Sequence, residues 1–410
     1  MNTNTNAFDH FLEKSSEFSA ITLAFFIPIS TSLTGILFIL SVTTGLLTRR
    51  FRQTLALMLN SPWVKTAVLL FALFAIAISY TSAPLHDAIS MLEKYSRLLL
   101  MVLFIPTFCK PNCRKYAIFA FLCAITVTLI ASYLQFFGLT DIPHKFGQAA
   151  IFKDRIQTNF LMAFGFYLFS GQLINITINN RKNIIPHFRF YQIALFFLCL
   201  LTIFDILFLS DGRSGYIIFS LLFLLLAWQK FKWRGILYAS GCLLLIMSCV
   251  FMLSKNFHDR MLEVHNNVKS YQQGNTETSV GLRMAFATNS IKLIAKHPLV
   301  GTGTGSFKNE YKKITPTHSM PTANPHNEYL NIGVQLGLPA IAVLLLLFYL
   351  QWHESNTLPK QYQEIAQAVV LTISIGCLGN AWLMDTTEGH FYALFMALCF
   401  ASRLRIHYAD

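Results

Sequence analysis

Apolar runs of membrane-spanning length recur along almost the whole chain, separated by short polar turns. They predict an all-α, polytopic integral membrane protein with about twelve spans, near residues 10–29, 31–48, 63–83, 94–109, 115–137, 157–178, 191–209, 214–229, 235–254, 327–351, 364–384 and 389–403. A helix crosses the hydrocarbon layer in about 20 residues. The apolar stretch 19–48, interrupted at Pro28-Ile29-Ser30-Thr31-Ser32, therefore predicts a tight helical hairpin. One interval breaks the rhythm. Residues 255–326 are polar and divide the chain into a first membrane region, 1–254, a large loop, and a last membrane region with a short tail, 327–410. Within the loop, Leu282, Phe286, Leu293 and Ile294 recur on one face of an amphipathic helix over 279–296, which Pro298 and the following glycines end.

Composition agrees with the pattern. The chain is 54% hydrophobic, only 12% charged and holds 38 phenylalanines, against about 25% charged residues in soluble domains. Long unalternating runs exclude a β-barrel. The polar first 17 residues lack a basic region before a short apolar one, so no cleavable signal is expected. The formal charge of +13 follows from basic turns rather than from a nucleic-acid surface, and no nucleic-acid partner is expected. With the N-terminus inside, cytoplasmic turns collect Arg49, Arg50 and Arg52, then Lys110, Arg114 and Lys115, then Arg181, Lys182 and Arg189, then Lys230, Lys232 and Arg234, then Lys360, and finally Arg403 and Arg405. The large loop then lies outside, periplasmic in a bacterial inner membrane. Of the eight cysteines, most lie inside apolar runs and read as small hydrophobes; Cys109 and Cys113 flank a basic turn without zinc-like partners.

The loop carries nine basic residues against four acidic ones, an outward basic surface that suits lipid phosphates, diphosphates or acidic glycans. Arg213, in Ser210-Asp211-Gly212-Arg213-Ser214-Gly215, sits at a membrane edge, where it must snorkel, pair with Asp211 or bind a ligand. The adjacent glycines would let backbone approach a phosphate. Arg155 occupies a similar edge, and with Arg283 these arginines would offer forked donors for phosphate. His326 stands at a span entrance, with a ring able to take a proton near neutral pH; Pro325, Asn327 and Glu328 would fix its backbone and orient it. His258, His265, His297 and His318 share the loop, and spacing alone does not choose among them. No histidine pair or acidic motif suggests a metal. Gly301, Gly303 and Gly305 lack the Lys-Ser/Thr of a nucleotide loop and read as a turn.

The order Ser279-x3-Arg283, then Ala295-Lys296-His297-Pro298-Leu299-Val300-Gly301-Thr302-Gly303, then His326-Asn327-Glu328-Tyr329-Leu330 with Gly337, resembles the O-antigen ligase and polymerase superfamily. The likeness extends to about twelve spans with one large periplasmic loop before the last three. It implies an O-antigen ligase, a glycosyltransferase of lipopolysaccharide biosynthesis. Such an enzyme moves glycan from undecaprenyl diphosphate to a sugar hydroxyl of lipid A–core, among membrane lipids and with neither ATP nor metal as cofactor. The resemblance assigns His326 as base or acceptor-orienting group. It gives Arg213 and Arg283 to the diphosphate and its developing charge, with Arg283 counted among the catalytic residues. Arg155 is a third match, for which Lys94 or Arg97 are alternatives. The mechanism it suggests is one inverting displacement, since no carboxylate pair marks the mapped site.

Three readings compete with a ligase. An O-antigen polymerase or a protein O-glycosyltransferase would use the same donor with another acceptor. A transporter of lipid-linked glycan belongs to a different class, but the chain shows neither repeated halves nor matched broken helices.

Overall fold

The structure, a computed structural model, describes residues 3–140, 151–179, 186–209, 212–254, 258–259, 262–263, 266–269, 278–315 and 322–404. Among the described residues it is all-helical. In chain order the helices are α1 (Thr3–Phe26), α2 (Thr31–Leu46), α3 (Arg49–Met58), α4 (Pro62–Ile76), α5 (Leu85–Tyr95), α6 (Arg97–Leu103), α7 (Pro111–Phe136), α8 (Arg155–Asn179) and α9 (Pro186–Phe204). They continue with α10 (Arg213–Leu253), α11 (Ser279–Lys296), α12 (Phe307–Ile314), α13 (Glu328–Leu336), α14 (Leu338–Ser355), α15 (Lys360–Gly379) and α16 (Thr386–Ala401). Single 3-10 turns follow α4 and α6, and α9 ends in a π turn over Asp205–Leu209.

Six described helices are long and apolar enough to cross a membrane, or up to seven if the bent pair α2–α3 is one span. The differences from twelve have local causes. The expected span 94–109 is broken into α5, α6 and the 3-10 turn Ile105–Phe108, where Pro106 removes a backbone donor. The expected span 327–351 is two helices, because Gly337 adopts φ +81° between α13 and α14, a left-handed conformation that suits glycine. Residues 364–384 do not run through as helix either: α15 stops at Gly379, and Asn380 is extended. The pair 214–229 and 235–254 forms α10, in which Lys232 leaves the helical region at φ 57°. A Cβ on Gly235 would strike the Ala227 carbonyl oxygen. Those groups lie roughly 12 Å apart along a straight helix, so the chain is sharply bent there. α2 and α3 meet at 94°.

The chain divides into two compact units: Met1–Ala20 with Gly35–Arg114 and Glu263–Asp410, and Ile21–Thr34 with Lys115–Leu262. In the first, α11 forms over the expected residues, with Thr278 as N-cap accepting from Gly281 N at 3.0 Å. Its apolar face joins a core of Phe286, Leu293, Ile294, Phe307, Tyr311 and Val334 that ties α11 and α12 to α13. Each such buried side chain is worth about 1.5–3 kcal/mol. Two cations of the basic turns are packed in this unit. Arg50 is buried against Glu13 and Glu17, and Arg114 donates to the carbonyls of Phe108 and Cys109 at 2.6 and 2.7 Å.

The glycine turn is a structural clasp. Thr302 N and Gly303 N donate to the carbonyls of Val334 and Gln335 at 2.9 Å each, satisfying the end of α13. On its other side, Thr304 Oγ1 donates to Phe74 O at 2.6 Å, Thr81 Oγ1 to Thr304 O at 2.7 Å, and Tyr80 OH to Val300 O at 2.8 Å. Gly303, at φ +94°, lies so close that a Cβ would collide with Thr81 Cα. Gly303→Ala should therefore cost about 2–4 kcal/mol, combining left-handed strain with backbone displacement. Thermal unfolding in detergent checks this, and an unchanged Tm would show that the clasp yields freely.

Candidate active site

α13 begins where Asn327 caps it: the Asn327 Oδ1 accepts from Leu330 N at 3.0 Å, while its Nδ2 donates to Leu378 O at 3.1 Å. One residue earlier, His326 adopts φ +54°, a region that non-glycine residues rarely occupy and that clusters at functional sites. Its N–H donates to Asn324 Oδ1 at 2.9 Å. This backbone places the half-buried ring with Nδ1 3.0 Å from Asn380 Oδ1. Asn380 Nδ2 donates in turn to Asp385 Oδ2 at 2.7 Å. Phe286 lies nearly parallel to the imidazole, centroids 5.9 Å apart. Burial lowers the His326 pKa, the Asn380 contact opposes that shift, and the positive charge of Arg283 adds to it. The net direction is down, so the ring is held neutral at neutral pH.

Arg283 and His326 are thus brought together in the first unit. Arg283 is exposed on α11, one turn before Phe286. Arg155 and Arg213 both belong to the second unit, at the first residues of α8 and α10. The two starts meet through Asn159 Nδ2, which donates to Gly212 O at 3.0 Å. Two helix N-termini and two guanidinium groups make this end of the unit suited to an anion. The neighbouring glycines serve packing, contrary to the expectation of phosphate approach. A Cβ on Gly212 would lie 2.7 Å from Asn159 Nδ2, and one on Gly215 would overlap the same side chain. The expected pairing partner Asp211 lies outside the described residues, as do His265 and His318. His258 sits 3.5 Å from Asp259 Oδ1, and His297 closes α11 as an exposed C-cap. Arg97, an alternative to Arg155, is occupied structurally: its Nη1 donates to Met384 O at 2.7 Å and to Asp385 O at 3.3 Å.

The expected orienting role of Asn327 and Glu328 is corrected by these contacts. Asn327 is a helix cap, and Glu328 points away from His326 into a fully buried polar row. Glu328, Asn331 and Gln335 share one face of α13, each with 0% exposure. Glu328 accepts from Tyr95 OH through Oε1 and from Leu383 N at 2.9 Å through Oε2. Asn331 Nδ2 donates to Tyr95 OH at 2.9 Å, Gln335 Nε2 to Asn331 Oδ1 at 3.0 Å, and Gly305 N to Gln335 Oε1 at 2.7 Å. Phe74 stacks on Tyr95 at 3.8 Å. The row ties α13 to α5, to the glycine clasp and to the segment before α16. Sequence reasoning missed Asn380, Asp385 and Tyr95. Gly379-Asn380 was the available signal, since a glycine and an asparagine together often end a helix.

Tyr95→Phe removes one hydroxyl and leaves Glu328 Oε1 and Asn331 Nδ2 each short of a buried partner. It should lower stability by about 1–3 kcal/mol. A lowered Tm in detergent, with the secondary structure retained, is the expected result; equal Tm values would show that the row is dispensable.

The family model described as O-antigen ligase matches residues 197–345. The matched stretch runs from α9 into α14 and contains Arg213, Arg283 and His326, but neither Arg155 nor the Asn380–Asp385 pair. No curated protein matches the chain at a significant level. Over these residues, and with its membrane-length apolar helices, the chain is similar to the O-antigen ligase family.

Proposed function

We propose that this protein is a glycosyltransferase of the bacterial inner membrane that moves a glycan from undecaprenyl diphosphate to a sugar hydroxyl of lipid A–core on the periplasmic face. The observation that carries the reading is His326, held neutral in a left-handed backbone beside Arg283 and braced by Asn380. A neutral imidazole takes a proton from an attacking hydroxyl. The forked guanidinium of Arg283 complements the charge that develops on a departing diphosphate. Arg213 and Arg155 are assigned to diphosphate binding, supported by their place at two helix N-termini.

The chemistry is one displacement at the anomeric carbon. The acceptor oxygen forms the new bond as its proton passes to His326, and the bond to the diphosphate oxygen breaks with its electron pair leaving on phosphate. The energy of the glycosyl–diphosphate bond drives the transfer, so the reaction calls on neither ATP nor a metal.

Purified protein in vesicles, given radiolabelled lipid-linked glycan and offered lipid A–core, a second lipid-linked unit or a peptide acceptor, tests the assignment by product. Label on lipid A–core is expected. Label on either other acceptor alone would replace ligation with polymerisation or protein glycosylation, and donor moved across the bilayer without a new glycosidic bond would make the protein a transporter. His326→Ala should lower transfer by about 10²–10⁴-fold while the protein still inserts in the membrane; wild-type turnover by the variant would remove His326 from the chemistry. Arg283→Lys keeps the charge and loses the fork, with about 10-fold or greater loss expected. The lowered His326 pKa fixes the sign of the pH dependence. The free base persists as pH falls through the ordinary imidazole range, so the acidic limb of kcat/KM lies below about 6.5. An acidic limb above that value would contradict a neutral, desolvated ring.

A further inference from the structure

The connection between α15 and α16 holds two polar side chains in an arrangement that local structure does not require. Asp385 occupies the N-cap of α16, yet its side chain makes no capping hydrogen bond there, although an N-cap aspartate ordinarily accepts from the first turn of its helix. Its Oδ2 accepts instead from Asn380 Nδ2 at 2.7 Å. Arg97 holds the backbone of this segment through Met384 O and Asp385 O. A carboxylate oxygen only accepts, so Asp385 fixes which end of the Asn380 amide faces it. The amide oxygen is left facing His326 Nδ1 at 3.0 Å, and a second donor, Asn324 Nδ2, reaches the same oxygen at 3.4 Å. An amide oxygen has no proton to give, so the ring nitrogen opposite it must carry one.

We propose that Asp385 and Asn380 are positioning residues that hold His326 as its Nδ1–H tautomer and leave Nε2 as the atom that receives the acceptor hydroxyl's proton. The inference rests on the glycosyl-transfer reading for what Nε2 does, and on geometry alone for which tautomer is present. As the hydroxyl proton moves to Nε2, the ring becomes an imidazolium with both nitrogens protonated. The Nδ1–H bond to Asn380 persists and strengthens, with the Asp385 charge behind the amide favouring the cation. Few charged and titratable groups among the described residues surround the ring. Arg283 projects from α11 and disfavours the cation, Tyr311 of α12 meets Phe286, which lies over the ring, and Asp385 acts through Asn380. On α13, Glu328 is engaged with Tyr95 and Leu383, and Tyr329 donates to Ser374 O. Burial and Arg283 thus keep the base neutral before the reaction, and the pair opposes them enough to make its cation tolerable during it.

The test uses the full chain labelled with 15N-histidine in detergent, with the His326 signal identified by its loss in His326→Gln. Wild-type protein is expected to show Nδ1–H and an unprotonated Nε2. Asn380→Ala should shift the ring toward Nε2–H and lower kcat by at least about 10-fold, with donor KM within about 2-fold, as befits a misdirected base. Asn380→Asp still accepts from Nδ1–H, so it should retain the tautomer, exceed Asn380→Ala in kcat and move the acidic limb of the pH–rate profile upward. Asp385→Ala should mix the tautomers. A merely structural connection would give neither the partial rescue nor the pH shift. A wild-type ring protonated on Nε2, or an Asn380→Ala variant with unchanged tautomer and pH profile, overturns the proposal. If Asn380→Ala does not fold, the wild-type tautomer and the Asn380→Asp profile decide. Full turnover by His326→Gln would overturn the base role, while the spectra would still decide the tautomer independently.

Discussion

The buried carboxyl of Glu328 is the contact on which the first unit turns. A carboxyl at zero exposure is tolerable only when its oxygens are hydrogen-bonded, and this one takes its donors from Tyr95 and Leu383 N, residues far apart in sequence. Satisfying it fixes the start of α13 against α5 and against the segment leading into α16. Asn331 and Gln335 extend the same row to the glycine clasp, so both ends of a nine-residue helix are held by polar contacts. So short a helix has little stability of its own. Its geometry comes from these bonds and from the apolar face that Val334 shares with α11.

The position of His326 follows from that anchorage. With α13 fixed by Glu328 and capped by Asn327, the residue just before the cap has little freedom, and it takes a left-handed backbone that Asn324 secures. Left-handed strain of order 1–3 kcal/mol persists only where surrounding structure imposes it. At His326 the constraints converge from α11, α13 and the α15–α16 connection. Phe286 packs nearly parallel to the half-buried ring, Asn380 faces one nitrogen, and Arg283 supplies positive charge nearby. In the proposed reaction the division of labour is chemical: desolvation would make the ring a neutral base, while the guanidinium would answer negative charge that appears only as a leaving group departs.

The residues legible in the sequence were those whose signal is local. Leu282, Phe286, Leu293 and Ile294 mark α11 by period alone, and the glycine run announced a turn. The His326 motif pointed to the candidate site, and the order of motifs pointed to the family whose model matches residues 197–345. What stayed hidden depended on contacts across the chain. Glu328 and Asn327 looked like the neighbours that would orient His326 because they adjoin it in sequence, but a helix turns successive side chains to different faces. Asn380 was concealed inside an apolar stretch that read as one span, and its value comes from Asp385 and His326 together. The glycines beside Arg213 suggested phosphate approach, whereas Asn159 fills that space. Hydropathy also joined α13 to α14, since Gly337 alone marks the break.

The proposed chemistry stands or falls on a single displacement in which His326 activates the acceptor hydroxyl directly. Its decisive readout is the anomeric configuration of the newly formed linkage, determined by NMR on product made from donor of known configuration. One displacement predicts inversion at the anomeric carbon. Retention would require an intermediate glycosyl adduct and would contradict direct activation of the acceptor by His326.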